Sequence, residues 1–81
     1  MTHVLLFGRL ADLAGWRERA IEPSPATLTA LQGRLAADDP ALGEALRGAG
    51  VRAAVDKALV RGDTPLSADA EVAFLPPMSG G

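Results

Sequence analysis

The 81-residue sequence contains no cysteine, so neither a disulfide framework nor a thiolate zinc site can form. A chain of this length builds one small core, and we expect packing alone to stabilise it. Long apolar runs are also missing, since the longest, Val4-Leu5-Leu6-Phe7, is far below the roughly 20 residues that cross a bilayer. Gly8-Arg9 interrupts any secretory signal, and we expect a cytoplasmic protein with no membrane association.

Groups that catalyse reactions are scarce in this sequence. His3 is the only histidine, and no serine lies in a recognisable nucleophile motif, so we expect no catalytic triad. No glycine-rich loop precedes Lys-Ser or Lys-Thr, which indicates that the chain cannot activate a substrate with ATP by itself. The net charge of −2, with no basic run, argues against nucleic acid as a partner. We expect this chain to bind neither a cofactor nor a metal ion.

Short apolar runs bounded by turn-forming residues predict the strands. They lie at residues 2–7, 16–22, 52–55, 58–60 and 71–75. Asp56-Lys57 has the length of a two-residue turn, so we expect the third and fourth strands to form a tight hairpin.

Capping residues predict the helices between these strands. Residues 9–14 suit a short helical turn, and Thr27 is a good N-cap for a main helix over 28–37. Asp39-Pro40 supplies an N-cap and a first-turn proline for a second short helix. The order of elements predicts an α+β domain of the β-grasp type over residues 1–75, with a mixed sheet packed on one main helix.

The first and last strands each have two apolar faces, because alternate residues in a strand point to opposite sides. One face carries Val4, Leu6, Val72 and Phe74, and the other carries Leu5, Phe7, Ala73 and Leu75. A sheet covered by a helix on one side needs only one apolar face. We therefore expect Phe7 and Leu75 to be exposed in an apolar patch that binds a partner. For Leu5, exposure and burial in a central strand both remain open.

The residues after the last strand predict a flexible tail over 76–81. Pro76-Pro77 stiffens its start, and Gly80 and Gly81 have no Cβ to block close approach. Six extended residues reach about 20 Å, enough to enter a buried active site on another protein. A carboxylate is a poor electrophile, so a partner enzyme would have to activate Gly81, for example as an acyl-adenylate. An incidental, frayed terminus is the alternative.

Four segments together resemble the small subunit of molybdopterin synthase (the MoaD family). They are Val4-Leu5-Leu6-Phe7, Ala53-Ala54-Val55 through Leu59-Val60, Pro65-Leu66, and the run from Glu71 to Gly81 that ends Phe74-Leu75-Pro76-Pro77-Met78-Ser79-Gly80-Gly81. The resemblance covers essentially the whole chain, and its last segment is the most specific. It implies a ubiquitin-like β-grasp fold.

The resemblance also implies a function. Gly81 would be adenylated by a separate ATP-using enzyme, converted to a thiocarboxylate and inserted into the large subunit of the synthase. Its sulfur would then pass to precursor Z, cyclic pyranopterin monophosphate, to build the dithiolene of molybdopterin. The chain would thus work in a hetero-oligomer. Residues matching the family's partner surface are Phe7, Leu59 and Leu75, and in the tail Pro76, Pro77, Met78, Ser79 and Gly80.

Two details of the sequence depart from the pattern of this family. Leu75 stands where relatives often carry phenylalanine, and Asp56-Lys57 stands where they often carry asparagine.

Three other functions remain open. The sulfur carrier of thiamine synthesis also ends in Gly-Gly but lacks the preceding Phe-Leu-Pro-Pro segment. A ubiquitin-like modifier joined to lysines would use the same adenylate. A plain interaction module with an incidental Gly-Gly end is the third alternative.

Overall fold

The computed structural model describes residues 1–77, and within this range five strands form one mixed sheet. The elements are β1 (Thr2–Leu6), α1 (Arg9–Ala14), β2 (Glu18–Ile21), α2 (Leu28–Asp38), α3 (Pro40–Leu46), β3 (Arg52–Val55), β4 (Ala58–Val60) and β5 (Glu71–Leu75). The strands lie in the order β2-β1-β5-β3-β4. β1 and β5 are parallel, and the other neighbouring pairs are antiparallel. The predicted α+β β-grasp arrangement is confirmed.

Most predicted boundaries agree with the structure, and three differ slightly. β1 ends at Leu6 instead of residue 7, and α2 extends one residue beyond 37. β2 is shorter than the predicted 16–22 because its pairing with β1 begins only at Glu18. Trp16 packs against the core before this strand, and the guanidinium of Arg19 lies 4.5 Å from the centre of its ring.

Side-chain caps begin both longer helices as predicted. Thr27 Oγ1 accepts a hydrogen bond of 3.1 Å from the backbone N–H of Ala30, and Asp39 Oδ1 accepts one of 3.2 Å from Leu42. Each cap satisfies a backbone donor that the first helical turn leaves without a partner. Pro40 in the first turn of α3 needs no such partner, since it has no N–H.

The hairpin between β3 and β4 turns at Asp56 and Lys57, which have positive φ angles of 49° and 72°. Two such residues give the turn whose twist matches that of paired strands. Asp56 also connects the hairpin to the start of β5. Its N–H donates to the Glu71 carbonyl at 2.8 Å, and its Oδ1 accepts from the Glu71 N–H at 2.9 Å.

The core lies between one face of the sheet and the helices. Val4, Leu6, Val72 and Phe74 are buried on this face, as predicted. α2 contributes Leu28, Leu31 and Leu35, and α3 adds Leu42 and Leu46. Within residues 1–77, no helix has the length and apolar character needed to cross a membrane.

Candidate functional site

The sheet face opposite the helices carries an apolar row that crosses four strands. Leu5 pairs with Ala73, Ala73 with Ala54, and Ala54 with Leu59, so these side chains project on the same side. Leu59 is 60% exposed, and Leu5 is half-buried outside the core cluster. Leu5 therefore belongs to this outer face, which answers the question that its sequence left open.

Phe7 and Leu75 extend this row towards the end of β5. The N–H of Phe7 donates to the Phe74 carbonyl at 3.2 Å, which continues the parallel pairing of β1 and β5 by one residue. Phe7 is thereby brought beside Leu75. Phe7 is 45% exposed as predicted, whereas Leu75 is half-buried and therefore less exposed than we expected. We call Leu5, Phe7, Ala54, Leu59, Ala73 and Leu75 the open patch.

Arginines lie at the end of the open patch where β5 ends. Arg52 pairs with Leu75, Arg9 follows Phe7 by two residues, and Arg61 follows the last residue of β4. All three arginines are exposed. Within residues 1–77, the ion pair that the structure shows does not involve them, because it joins the N-terminal amine to Asp69 at 3.2 Å. A partner with carboxylates around an apolar contact would complement this end of the sheet.

Pro76 and Pro77 continue from β5 and lie against the domain. Both are half-buried, with Pro76 next to Gly8 and Pro77 next to Gly50. These contacts could not be predicted from the sequence, because both glycines lie between elements and nothing local relates them to the prolines. Met78, Ser79, Gly80 and Gly81 lie outside the described residues. The partner-binding roles of all these residues and the domain boundary at 75 stay predictions.

A groove of about 600 Å³ runs beside the two prolines. It is largely apolar and lies between α1 and the segment after α3; its walls include Leu10, Leu13, Ala45, Val51, Pro76 and Pro77. Leu13 is 50% exposed there. The spacing of Leu10 and Leu13 indicated a helical turn but gave no signal of this groove, which requires α3 and the prolines to be in place.

Side chains capable of holding a metal ion do not converge in the described part of the chain. No group of three His, Cys, Asp or Glu side chains in residues 1–77 could hold a metal ion, and His3 is exposed. The pKa of Asp63 lies below its ordinary value because the Thr29 N–H donates to Oδ1 at 2.8 Å, with a smaller contribution from Thr64. Asp63 is an exposed cap at the first turn of α2 and shows no catalytic arrangement.

Comparisons with known proteins agree with this geometry. The family model described as the ThiS family matches residues 4–81. The molybdopterin synthase sulfur carrier subunit of Escherichia coli (strain K12) is 36% identical over 81 residues, which are 100% of both chains. SAMP1 from Haloferax volcanii superposes with a TM-score of 0.80 at 25% identity, over 99% of this chain and 98% of that chain.

A second solved structure supports the fold alone. The small archaeal modifier protein 1 from Methanosarcina acetivorans superposes with a TM-score of 0.85 at 24% identity, over 99% of this chain and 95% of that chain. The predicted ubiquitin-like fold and the resemblance stated from the sequence are both confirmed. With a family match over residues 4–81 and a homologous sulfur carrier subunit aligned along its full length, the chain belongs to the ThiS family.

Proposed function

We propose that this chain is the sulfur carrier subunit of a molybdopterin synthase and works through the carboxylate of Gly81. The observation that carries the proposal is the open patch beside the point where β5 leads into Pro76 and Pro77. A partner that covers Phe7 and Leu75 is thereby adjacent to the start of the tail. The 36% identity to a molybdopterin synthase sulfur carrier subunit supports the same assignment.

The proposed chemistry begins with activation on a separate enzyme. An oxygen of the Gly81 carboxylate attacks the α-phosphorus of ATP, and pyrophosphate leaves to give an acyl-adenylate. Hydrosulfide then attacks the carbonyl carbon and displaces AMP, and loss of the S–H proton gives the thiocarboxylate. If the donor is a persulfide, the attack gives an acyl disulfide, and a second thiol reduces it to the thiocarboxylate while forming a disulfide with the donor. In this proposal the activating enzyme binds the ATP and supplies the catalytic groups for both steps.

The thiocarboxylate then works in a second complex. We propose that the large subunit of the synthase covers Phe7, Leu59 and Leu75 and receives Pro76, Pro77, Met78, Ser79 and Gly80 in a channel leading to its active site. There each thiocarboxylate gives one sulfur to precursor Z, and water cleaves the acyl–sulfur bond so that Gly81 returns to a carboxylate. Two carriers therefore supply the two sulfurs of the molybdopterin dithiolene made by the hetero-oligomer. Burial of exposed apolar side chains would stabilise this complex, at about 25 cal/mol per Å² before the costs of association. The expected cytoplasmic location belongs to the same proposal.

Changes in tail length test this function. Removing Gly81 shortens the tail by about 3.5 Å, and adding one residue after it moves the carboxylate by a similar distance. Misplacement on this scale can cost a hundredfold or more in rate. Both variants should keep wild-type thermal stability and bind the large subunit, yet form no thiocarboxylate and no molybdopterin. Each is incubated with the activating enzyme, ATP and a sulfur source, and its intact mass is measured. Normal transfer by the extended variant would refute the carrier function.

A second candidate function is protein modification, which the structural likeness to SAMP1 at 25% identity favours. The same adenylate would then react with a lysine amine and form an isopeptide bond. The two functions differ in the product at Gly81. Intact mass of the protein from its native host distinguishes them, because a thiocarboxylate exchanges one oxygen for sulfur, whereas modification adds Gly81 to a target protein.

A further inference from the structure

Two glycines from different parts of the chain contact the two prolines that follow β5. Gly8 lies between β1 and α1, and Gly50 lies in the segment between α3 and β3. A Cβ placed on Gly8 would lie 2.9 Å from Pro76 Cγ, and one placed on Gly50 would lie 2.8 Å from Pro77 Cβ. Real Cβ atoms essentially never approach another heavy atom within 3.0 Å. Any larger residue at either position would therefore displace a proline or its own loop.

Neither proline can move aside by a simple side-chain rotation. The pyrrolidine ring fixes φ near −65° and is bonded back to the backbone nitrogen, so Pro76 Cγ has little freedom. Pro77 Cβ is attached directly to the main chain. A side chain at residue 50 would therefore push on the backbone itself, and we expect a larger effect there than at residue 8.

We propose that Gly8 and Gly50 are positioning residues, which set the direction in which the chain continues after Pro77. This inference rests on the proposed function, because direction matters only if Gly81 must reach a partner's active site. Four further residues can span about 14 Å when a partner's channel holds them extended, and a rotation of about 4° at Pro77 would then move the carboxylate by about 1 Å. Errors of that size can cost a hundredfold in rate.

Both glycines also have positive φ angles, +56° at Gly8 and +84° at Gly50, so alanine there introduces backbone strain as well as contact with proline. Matched controls separate the two effects. Gly15 has a φ of +82° and Gly62 one of +67°, and a Cβ on either would meet no atom within 4 Å. Gly15→Ala thus matches Gly50→Ala in φ but lacks the contact with proline. Gly62→Ala has a similar φ to Gly8→Ala, but Gly8 combines its φ with a ψ of −133°, outside the αL region, so Gly8 is tested by the double-variant cycle below.

The first experiment measures thiocarboxylate formation for folded protein, with kcat and the KM for the carrier determined separately. Gly15→Ala and Gly62→Ala should lose stability but keep kcat within about twofold of wild type. Gly50→Ala should lower kcat about tenfold or more with little change in KM, as expected when positioning of the reacting group is lost and binding is kept. Pro77→Gly removes the proline ring that lies next to Gly50 and leaves the buried core unchanged. This variant should also lower kcat. Equal kcat values for Gly50→Ala and Gly15→Ala, or an unchanged kcat for Pro77→Gly, would overturn the inference.

A double-variant cycle tests Gly8. Pro76→Ala removes Cγ and leaves Pro76 Cβ, 3.9 Å from the added methyl group, as the nearest of the atoms that Gly8→Ala would meet. Gly8→Ala should therefore lower kcat much less in the Pro76→Ala background than in the wild type. A purely structural role for Gly8 predicts the same loss in both backgrounds.

A third measurement does not depend on sulfur transfer. The absence of cysteine allows one nitroxide label to be placed through Ser79→Cys, and paramagnetic broadening of backbone amides then maps its average position. Gly50→Ala should change this map, whereas Gly15→Ala should leave it as in wild type. Identical maps for the two variants would overturn the inference. If Gly50→Ala changes the map while the wild-type chain forms no thiocarboxylate, the positioning role is upheld and the proposed function is refuted instead.

Discussion

The only two phenylalanines of the chain allow one substitution to be compared on both faces of the sheet. Phe74 is fully buried on the helix side, and Phe7 is 45% exposed in the open patch. Phe74→Ala removes a large ring from the core and leaves a cavity, which costs about 3 to 5 kcal/mol. Phe7→Ala loses only partial burial, so we expect a cost of about 1 kcal/mol.

These costs predict different unfolding transitions. For a domain of this size, 1 kcal/mol lowers Tm by about 4 to 8 °C, so Phe74→Ala should lower it by roughly 12 to 40 °C. Urea unfolding followed by the fluorescence of Trp16, the sole tryptophan, measures the free energy of unfolding for both variants. A loss below about 1 kcal/mol for Phe74→Ala would mean that the two faces of the sheet are assigned the wrong way round.

Three further predictions concern the open patch and the start of α2. Phe7→Asp and Leu75→Glu should leave the circular dichroism spectrum unchanged but weaken binding to the large subunit in a titration; unfolding of either variant would assign that residue to the core. Thr27→Ala should cost about 1 kcal/mol in urea unfolding, because it removes the acceptor for the Ala30 N–H, and an unchanged midpoint would contradict this cap. The lowered pKa of Asp63 means that its ionised form stabilises the fold fully above the ordinary value of 3.8 and that this contribution is lost as the pH falls through the lowered pKa. The stability difference between wild type and Asp63→Asn should therefore be present at pH 7 and shrink on acidification below about pH 4, and a difference independent of pH would refute the assignment.

Features that depend on neighbouring residues could be predicted from the sequence. Thr27 and Asp39 cap their helices because a side-chain oxygen needs only the next turn to find its donor. Phe74 was assigned to the buried face by alternation, which is a local property of an extended strand. The turn at Asp56 and Lys57 followed from the two apolar runs on either side.

Features that depend on contacts distant in sequence could not be predicted in detail. The half-burial of Leu75 arises because it pairs with Arg52 and lies beside Phe7, and neither neighbour is close in sequence. The contact of Gly50 with Pro77 joins residues 27 positions apart in two irregular segments. Periodicity carries no information about such segments, so this contact could not be predicted from the sequence.

The topology of the sheet accounts for the position of both glycines. β5 lies between β1, which is parallel to it, and β3, which is antiparallel. The C-terminal end of β1 and the N-terminal end of β3 therefore lie beside the C-terminal end of β5. Gly8 follows β1, and Gly50 precedes β3. The prolines that continue from β5 therefore contact one glycine beside each neighbouring strand. A tail that continued from the outer strand β2 or β4 would have a neighbouring strand on one side only, and contacts of this kind from two adjacent strands could not form.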